Sequence, residues 1–321
     1  MARLELHPFG PDFLDDAAGL LAHRHAAQRI FEPSLPVEFE HPEVARAAIA
    51  QLMTDDASGA VATRGGAAVG YLLGTPRASP TWGPNVWVEL SGHASAEPEA
   101  VRDLYALAAA RWVDEGRTAH YAVAPATDPA LIDAWFRLGF GQQHVHAIRE
   151  APATPLTEPP PGVVIRRPTR EDIDALAGLD LVLPEHQLRS PVFSSVVPPP
   201  FDEARSEWEE DLDNPAFATF VAVVDGRVIG SAIGCSVEES SLHTGIARPD
   251  DAAHLGFAAV LEDARGAGVG KTLGTTVLDW ASAEGYRAVV TDWRATNLLS
   301  SRTWPKLGFR PTFFRLFRAV T

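Results

Sequence analysis

Val260-Leu261-Glu262-Asp263-Ala264-Arg265-Gly266-Ala267-Gly268-Val269-Gly270-Lys271-Thr272 is the stretch on which the reading of this chain turns. Upstream, Leu255–Leu261 is an apolar run of strand length. Downstream, Leu273, Val277, Leu278 and Ala281 recur at helical spacing, which predicts a helix over 272–284 with Gly285 beyond its end as a C-cap. Strand, three spaced glycines, then helix is an arrangement that lets backbone approach an anion. Glycine admits positive φ and carries no Cβ, and the first N–H groups of the helix are left for a ligand. Two ligand classes fail on spacing. A P-loop ends in Gly-Lys-Ser/Thr, as Gly270-Lys271-Thr272 does, but Arg265 stands where its first glycine belongs. The dinucleotide fingerprint Gly-x-Gly-x-x-Gly does not match Gly266-x-Gly268-x-Gly270. The plain alternative is a glycine-rich turn without a ligand, which leaves the entropic cost of three glycines unexplained.

Working outward, the second half repeats the first. Asp15-x-Ala17-Ala18-Gly19-Leu20 returns 159 residues later as Asp174-x-Leu176-Ala177-Gly178-Leu179. Val61-Ala62 with Gly66, Val69-Gly70 and Gly74 returns 160 later as Val221-Ala222 with Gly226, Ile229-Gly230 and Gly234. Trp135-x-x-Leu138-Gly139-Phe140 returns 169 later as Trp304-x-x-Leu307-Gly308-Phe309, so the second copy has gained residues, most simply between about 236 and 253. Between the copies, 151–162 holds five prolines and reads as a semi-rigid linker. Domains are therefore expected at 1–150 and 163–321. In copy two, Thr219–Val224 and Arg227–Cys235 flank Asp225-Gly226, a hairpin signal. Val289–Asp292 reads as a buried strand, and Asp202–Leu212 and Leu299–Leu307 as helices. The order is strand, helices, three strands, helix, strand, helix, strand: an α/β layered fold and not a doubly wound one.

Arg265-Gly266-Ala267-Gly268-Val269-Gly270 resembles the acyl-CoA pyrophosphate loop of the GCN5-related N-acetyltransferase (GNAT) superfamily, Arg/Gln-x-x-Gly-x-Gly/Ala. Asn297-x-x-Ser300-x-x-x-Trp304-x-x-Leu307-Gly308-Phe309 is similar to the family's Asn-x-x-Ala-x-x-x-Tyr-x-x-x-Gly-Phe. The resemblance covers roughly 163–318, and the repeat extends it to 4–149. It implies two tandem GNAT-like domains, each a mixed, mostly antiparallel sheet flanked by helices, and acetyl-CoA as co-substrate. Cofactor contacts are implied at Val260, Leu261, Arg265, Gly266, Ala267, Gly268, Val269, Gly270, Lys271, Asn297 and Ser300. The family's strand kink is placed around Val260-Leu261. Acetyl transfer is expected to a primary amine of a small molecule or peptide. In the first copy Glu97-Pro98-Glu99-Ala100-Val101-Arg102 occupies the loop position, without a glycine, so that domain is expected to lack a productive acetyl-CoA site.

The family often places a carboxylate base at the head of the fourth strand, and that position is His254, an imidazole suited to accepting a proton near neutral pH. A half-exposed strand residue is the plain alternative. Glu238, Glu239 and His243 lie in the extra segment and are further candidates, against a solvated loop. Asp292 either binds a cationic group or caps a loop. Trp304 departs from the family's Tyr, since an indole N–H is no acid near neutral pH; with Trp135 at the matching position, a packing aromatic inherited by both copies is the simple account. Cys235 on an apolar strand reads as a small buried residue more readily than as a nucleophile. A non-catalytic acyl-CoA-binding or regulatory protein is the rival reading.

Composition sets the outer limits. The 321 residues carry a net charge of −15, with 46% hydrophobic and 21% charged residues, which argues against binding by phosphate neutralisation and hence against a nucleic-acid partner. One cysteine excludes an internal disulfide framework and Cys-rich metal sites, and no metal is expected. No apolar run approaches membrane length, so a cytoplasmic protein without a membrane partner is expected.

Overall fold

Two adjacent residues with positive φ close a hairpin in each half of the chain. Gly65-Gly66 (61° and 85°) joins Ser58–Arg64 to Ala67–Ser79, and Asp225-Gly226 (49° and 79°) joins Phe217–Val224 to Arg227–Ser236. This backbone belongs to a type I′ turn, whose twist matches the strands it connects. The computed structural model describes residues 2–79, 82–153 and 158–320; linker residues 154–157 lie outside the described residues.

In chain order the elements are β1 (Leu4–Pro8), α1 (Leu14–Arg29), α2 (Pro42–Leu52), β2 (Ser58–Arg64), β3 (Ala67–Ser79), β4 (Gly83–Val88), β5 (His93–Ser95), α3 (Ala100–Asp114), β6 (Ala119–Pro125), α4 (Pro129–Arg137) and β7 (Gly141–Glu150). There follow β8 (Val164–Arg166), α5 (Ile173–Leu188), α6 (Phe201–Asp211), β9 (Phe217–Val224), β10 (Arg227–Ser236), β11 (Ala252–Val260), α7 (Val269–Ala283), β12 (Ala288–Arg294), α8 (Leu298–Thr303) and β13 (Arg310–Ala319). The helix expected at 272–284 begins three residues earlier, because Gly268 itself is its N-cap.

The chain forms two units, Met1–Val145 with Gly245–Arg248 and Pro311–Thr321, and His146–Thr244 with Pro249–Arg310. This differs from boundaries drawn at the linker. Pro311–Ala319 belongs to the first unit because β13 pairs antiparallel with β6, from Phe313 opposite Pro125 to Ala319 opposite Ala119. His146–Glu150 closes the second unit's sheet beside β12. A strand's alternation predicts that it will pair and is silent about which ladder satisfies its backbone.

Among the described residues each unit's sheet is mostly antiparallel, with β4 parallel to β6 in the first and β11 parallel to β12 in the second. In the first unit, Ala60, Ala62 and Leu72 pack under α3 and α4, while Val61, Tyr71 and Leu73 face α1 and α2. In the second, Val221, Val228 and Ala259 pack against α5 and α6. The repeated glycines Gly74 and Gly234 have one cause. A Cβ on Gly74 would stand 2.3 Å from Cζ2 of Trp112, and one on Gly234 2.7 Å from Cζ3 of Trp280. The tryptophan of α3 in the first copy and of α7 in the second lies against the strand, and only glycine leaves it room.

Candidate active site

Parallel pairing of β11 with β12 runs from Ala252–Ala288 to Leu255–Thr291 and stops, although the strands continue to Val260 and Arg294. At the same level β10 shifts register: Ile233 faces Phe257 and Gly234 faces Leu255, which leaves Gly256 as the extra residue of a bulge. The strand kink is therefore at Gly256 and not at Val260-Leu261 as expected, a glycine being the residue a strand bulge most readily accepts. Beyond it, Leu261 N–H donates to Ile229 O at 2.9 Å, so by strand alternation Ala258 and Val260 turn their backbone groups away from β10.

A cavity of about 420 Å³ opens on that side. Val260, Arg265, Gly266, Gly268, Val269, Gly270, Lys271, Asn297 and Ser300 all line it; Leu261 and Ala267 do not. Ala258 lines it as well and was missed, since backbone contacts leave no mark on residue type. Val182, Leu183 and His186 of α5 form a further wall.

The loop owes its shape to Gly266 and Gly268, at φ of 89° and 86°. Gly268 O accepts the N–H of Thr272 at 3.0 Å, leaving the N–H groups of Val269, Gly270 and Lys271 as the unpaired start of a 15-residue helix. Gly270 needs no special backbone, and a Cβ there would meet only Cγ2 of Val260 at an ordinary 3.6 Å. Nothing in the protein requires glycine at 270, whereas an anion drawn close to the first helical turn would. The loop thus fits the pyrophosphate of a coenzyme A thioester. Arg265 donates from Nε to Val260 O at 3.2 Å, which fixes the loop to the strand end. Asn297 is buried, and its Oδ1 accepts from the N–H of Leu299 (3.1 Å) and Ser300 (3.4 Å), so its oxygen serves to cap α8. Trp304 lines the cavity while packing against Gly274, whose Cβ would stand 3.0 Å from its Cζ3. Trp135, its counterpart, is fully buried.

His254 does not line this cavity; it stands on β11 one residue before parallel pairing with β12 stops. Its Nε2 lies 3.4 Å from Oδ1 of Asp292 and its Nδ1 4.0 Å from Sγ of Cys235. The side chains of His254 and Asp292 are 12% and 17% exposed, enough for a small group to reach them. The ring of His243 lies 5.3 Å from that of His254, and His243 Nδ1 is 3.0 Å from Ser240 Oγ. One donor atom each from His243, His254 and Asp292 fall within 4.8 Å of one another, so these residues could hold a divalent cation. Burial pushes the Cys235 thiol up to about 11, with the Glu239 carboxylate adding to it, so the thiol stays protonated and is no nucleophile. Glu238 and Glu239 are exposed on the one-turn helix Val237–Glu239 and do not line the cavity. The extra segment delivers His243 to the cluster, and its Ile246 and Ala247 are buried in the core of the first unit.

The corresponding place in the first copy is built differently. α3 starts at Ala100 without a glycine turn, and Glu97 is gripped by Arg64 through Nε (2.8 Å) and Nη2 (2.7 Å). Arg64 holds that carboxyl below the usual carboxylate range, so its charge is balanced by an ion pair.

The model of the acetyltransferase (GNAT) family matches residues 184–309. This chain carries a GNAT domain. That domain contains the glycine loop, the diverging strands and the His254–Asp292 pair. Over 96 residues the chain is 32% identical to N-acetylaspartate synthetase of Rattus norvegicus and equally so to that of Homo sapiens, a match covering 30% of this chain and only 29% and 28% of those relatives. Across 98% of this chain and 95% of the other, the fold is similar to a GCN5-related N-acetyltransferase from Sphaerobacter thermophilus, with a TM-score of 0.56 and 14% identity. A glucosamine N-acetyltransferase region of a fungal multi-domain β-N-acetylglucosaminidase matches 99% of this chain and 38% of its own, with a TM-score of 0.51 and 14% identity. At these identities the likeness concerns the fold, and it extends the GNAT architecture to both copies. Among the described residues no helix is long and apolar enough to cross a membrane.

Proposed function

We propose that this protein is an acetyl-CoA-dependent N-acetyltransferase whose chemistry takes place in the GNAT domain, with a primary amine of a small molecule or peptide as acceptor. The observation that carries the proposal is Gly270, a glycine at the start of α7 that the protein's own packing does not require, in a loop whose helix N–H groups are unpaired. When bound, the thioester supplies an activated acetyl carbonyl. Gly266 to Lys271 would hold its pyrophosphate, and the outward backbone groups of Ala258 with the N–H of Val260 would hold its arm along the parted strand.

His254 and Asp292 act on the acceptor. When the acceptor's ammonium donates to both Nε2 and Asp292 Oδ1, the ring proton lies on Nδ1, toward Cys235, and Nε2 is an acceptor. The carboxylate holds the acceptor's ammonium, Nε2 removes its proton, and the neutral amine is then a nucleophile. Trp304 cannot protonate the departing thiolate, and a thiol of ordinary acidity leaves adequately without that help. The first unit lacks the glycine turn and binds no acetyl-CoA productively. We place the protein in the cytoplasm, in keeping with a single cysteine held as a buried thiol.

Titration with acetyl-CoA combined with a CoA-release assay over an amine panel tests this. One site per chain is expected, and His254→Ala should lower turnover by about 10²–10⁴-fold with acetyl-CoA affinity unchanged. Saturable binding without release of CoA for any amine would favour a non-catalytic acyl-CoA-binding role, and absence of binding would refute the assignment.

A further inference from the structure

The first unit has a cavity of its own, about 280 Å³, enclosed by α1, the segment after β5 and the connection from β6 to α4. Its walls are largely apolar, with Leu20, Ala27, Phe31 and Pro125 among them, and one arginine, Arg24, lines it. Arg24 is 8% exposed. Its Nη1 donates to His93 O, while Nε and Nη2, both shielded from water, meet no acceptor in the protein. Gln28, one turn further along α1 and also in the cavity wall, donates from Nε2 to Thr312 O at 3.2 Å and leaves its Oε1 without a donor. A buried guanidinium with two unmade donors is an unstable arrangement unless something completes it.

The missing partner can be read from the geometry. Nε–H and Nη2–H form one edge of the guanidinium, two parallel donors matched to the two oxygens of a carboxylate. Burial pulls the Arg24 pKa down to about 10, so the group remains charged at neutral pH. A dianionic phosphate would meet this single guanidinium in a cavity that also contains the Asp128 carboxylate, which favours a monoanion. The repeat supplies an independent argument. Arg24 falls 159 residues before Leu183, the offset that relates α1 to α5, and Asp128, which caps α4, falls 169 before Asn297, which caps α8. Leu183 and Asn297 line the cavity of the GNAT domain, so the two cavities occupy the same place in the two copies. The first copy has no glycine loop, and arginine stands where the second copy has leucine.

We propose that the first unit binds a small carboxylic acid, Arg24 turning Nε and Nη2 out of their shielded position toward its carboxylate while its apolar body lies against Leu20, Ala27 and Phe31. The assignment does not depend on acetyl transfer by the other copy.

The test is calorimetric titration of the full chain with phenylacetate, isovalerate and L-phenylalanine, and separately with inorganic phosphate. Saturable 1:1 binding is expected for at least one carboxylate and none for phosphate. Arg24→Met should weaken that binding by at least about 30-fold, and Arg24→Lys should weaken it too, because a point charge cannot span both oxygens. Acetyl-CoA binding to the GNAT domain should persist in both variants. Thermal unfolding separates ligand binding from a structural role: without ligand, Arg24→Met should unfold no earlier than the parent, since the cost of burying a charge whose one acceptor is His93 O outweighs that single bond. Lack of binding by all three carboxylates, binding unaffected by Arg24→Met, phosphate binding as tightly as the carboxylates, or a lowered unfolding temperature in Arg24→Met would each overturn the proposal.

Discussion

Replacing Gly270 with alanine should move stability and ligand affinity in opposite directions. Position 270 lies in the first turn of α7 with ordinary helical backbone, and the added methyl would meet only Val260 Cγ2 at 3.6 Å. Helix propensity then favours alanine over glycine by about 0.8–1 kcal/mol. For a domain of this size that raises the unfolding temperature by about 2–4 °C. The same methyl occupies the space through which a pyrophosphate oxygen would approach the helix N–H groups. Losing one hydrogen bond to a charged oxygen costs about 1.5–3 kcal/mol, or roughly 10- to 100-fold in acetyl-CoA affinity. Scanning calorimetry and titration on the same preparation measure both. Gly268→Ala is the control: at φ 86° an L-residue is strained by about 1–2 kcal/mol, so this neighbour should lose stability. If Gly270→Ala is destabilising, the site is tighter than described; if it is stabilising and binds acetyl-CoA unchanged, the anion does not sit on this turn.

Two further outcomes follow from groups outside the cleft. The Asp172 carboxyl is held down to about 2, first by the Arg166 guanidinium at 2.7 and 2.9 Å and then by Thr169 N–H and hydroxyl, so its stabilisation is fully present above the unfolded-state pKa near 4 and fades as pH falls toward 2. Its size is about 2 kcal/mol, and urea unfolding of Asp172→Asn should show that loss at neutral pH and a flatter acid limb. Gly74→Ala and Gly234→Ala should each destabilise by about 1–3 kcal/mol through overpacking, with Gly74 the worse because Trp112 is nearer; equal stability to the parent in denaturant titration would refute the close-approach argument.

Much of the fold could be read because its signals are local. Asp225-Gly226 specifies its own turn, the 273–281 periodicity specifies α7, and the duplicated Gly74 and Gly234 mark the same tryptophan contact twice. The exchange of β13 and the end of β7 was not legible, since strand alternation carries no information about the partner ladder. At the site the glycine loop announced itself by composition, but Ala258 contributes only backbone, and its neighbour Leu261 spends its N–H on Ile229. The kink was misplaced because Gly256 becomes a bulge only through its register with β10. Asp292 could be noticed as a strand end, yet its proximity to His254 depends on where parallel pairing stops. Glu238 and Glu239 had the right chemistry for a base and lie in the right segment, but that segment delivers His243 to the cluster and leaves them in solvent.

The pairing of Pro311–Ala319 with β6 bears on how the protein is made. At about 5–20 residues per second, on the order of ten seconds separate synthesis of β6 from synthesis of its partner. Until then β6 presents an open edge of backbone donors and acceptors, the kind of surface on which nascent chains aggregate. The first half therefore cannot complete its own sheet on the ribosome, and its maturation waits for the last strand to emerge.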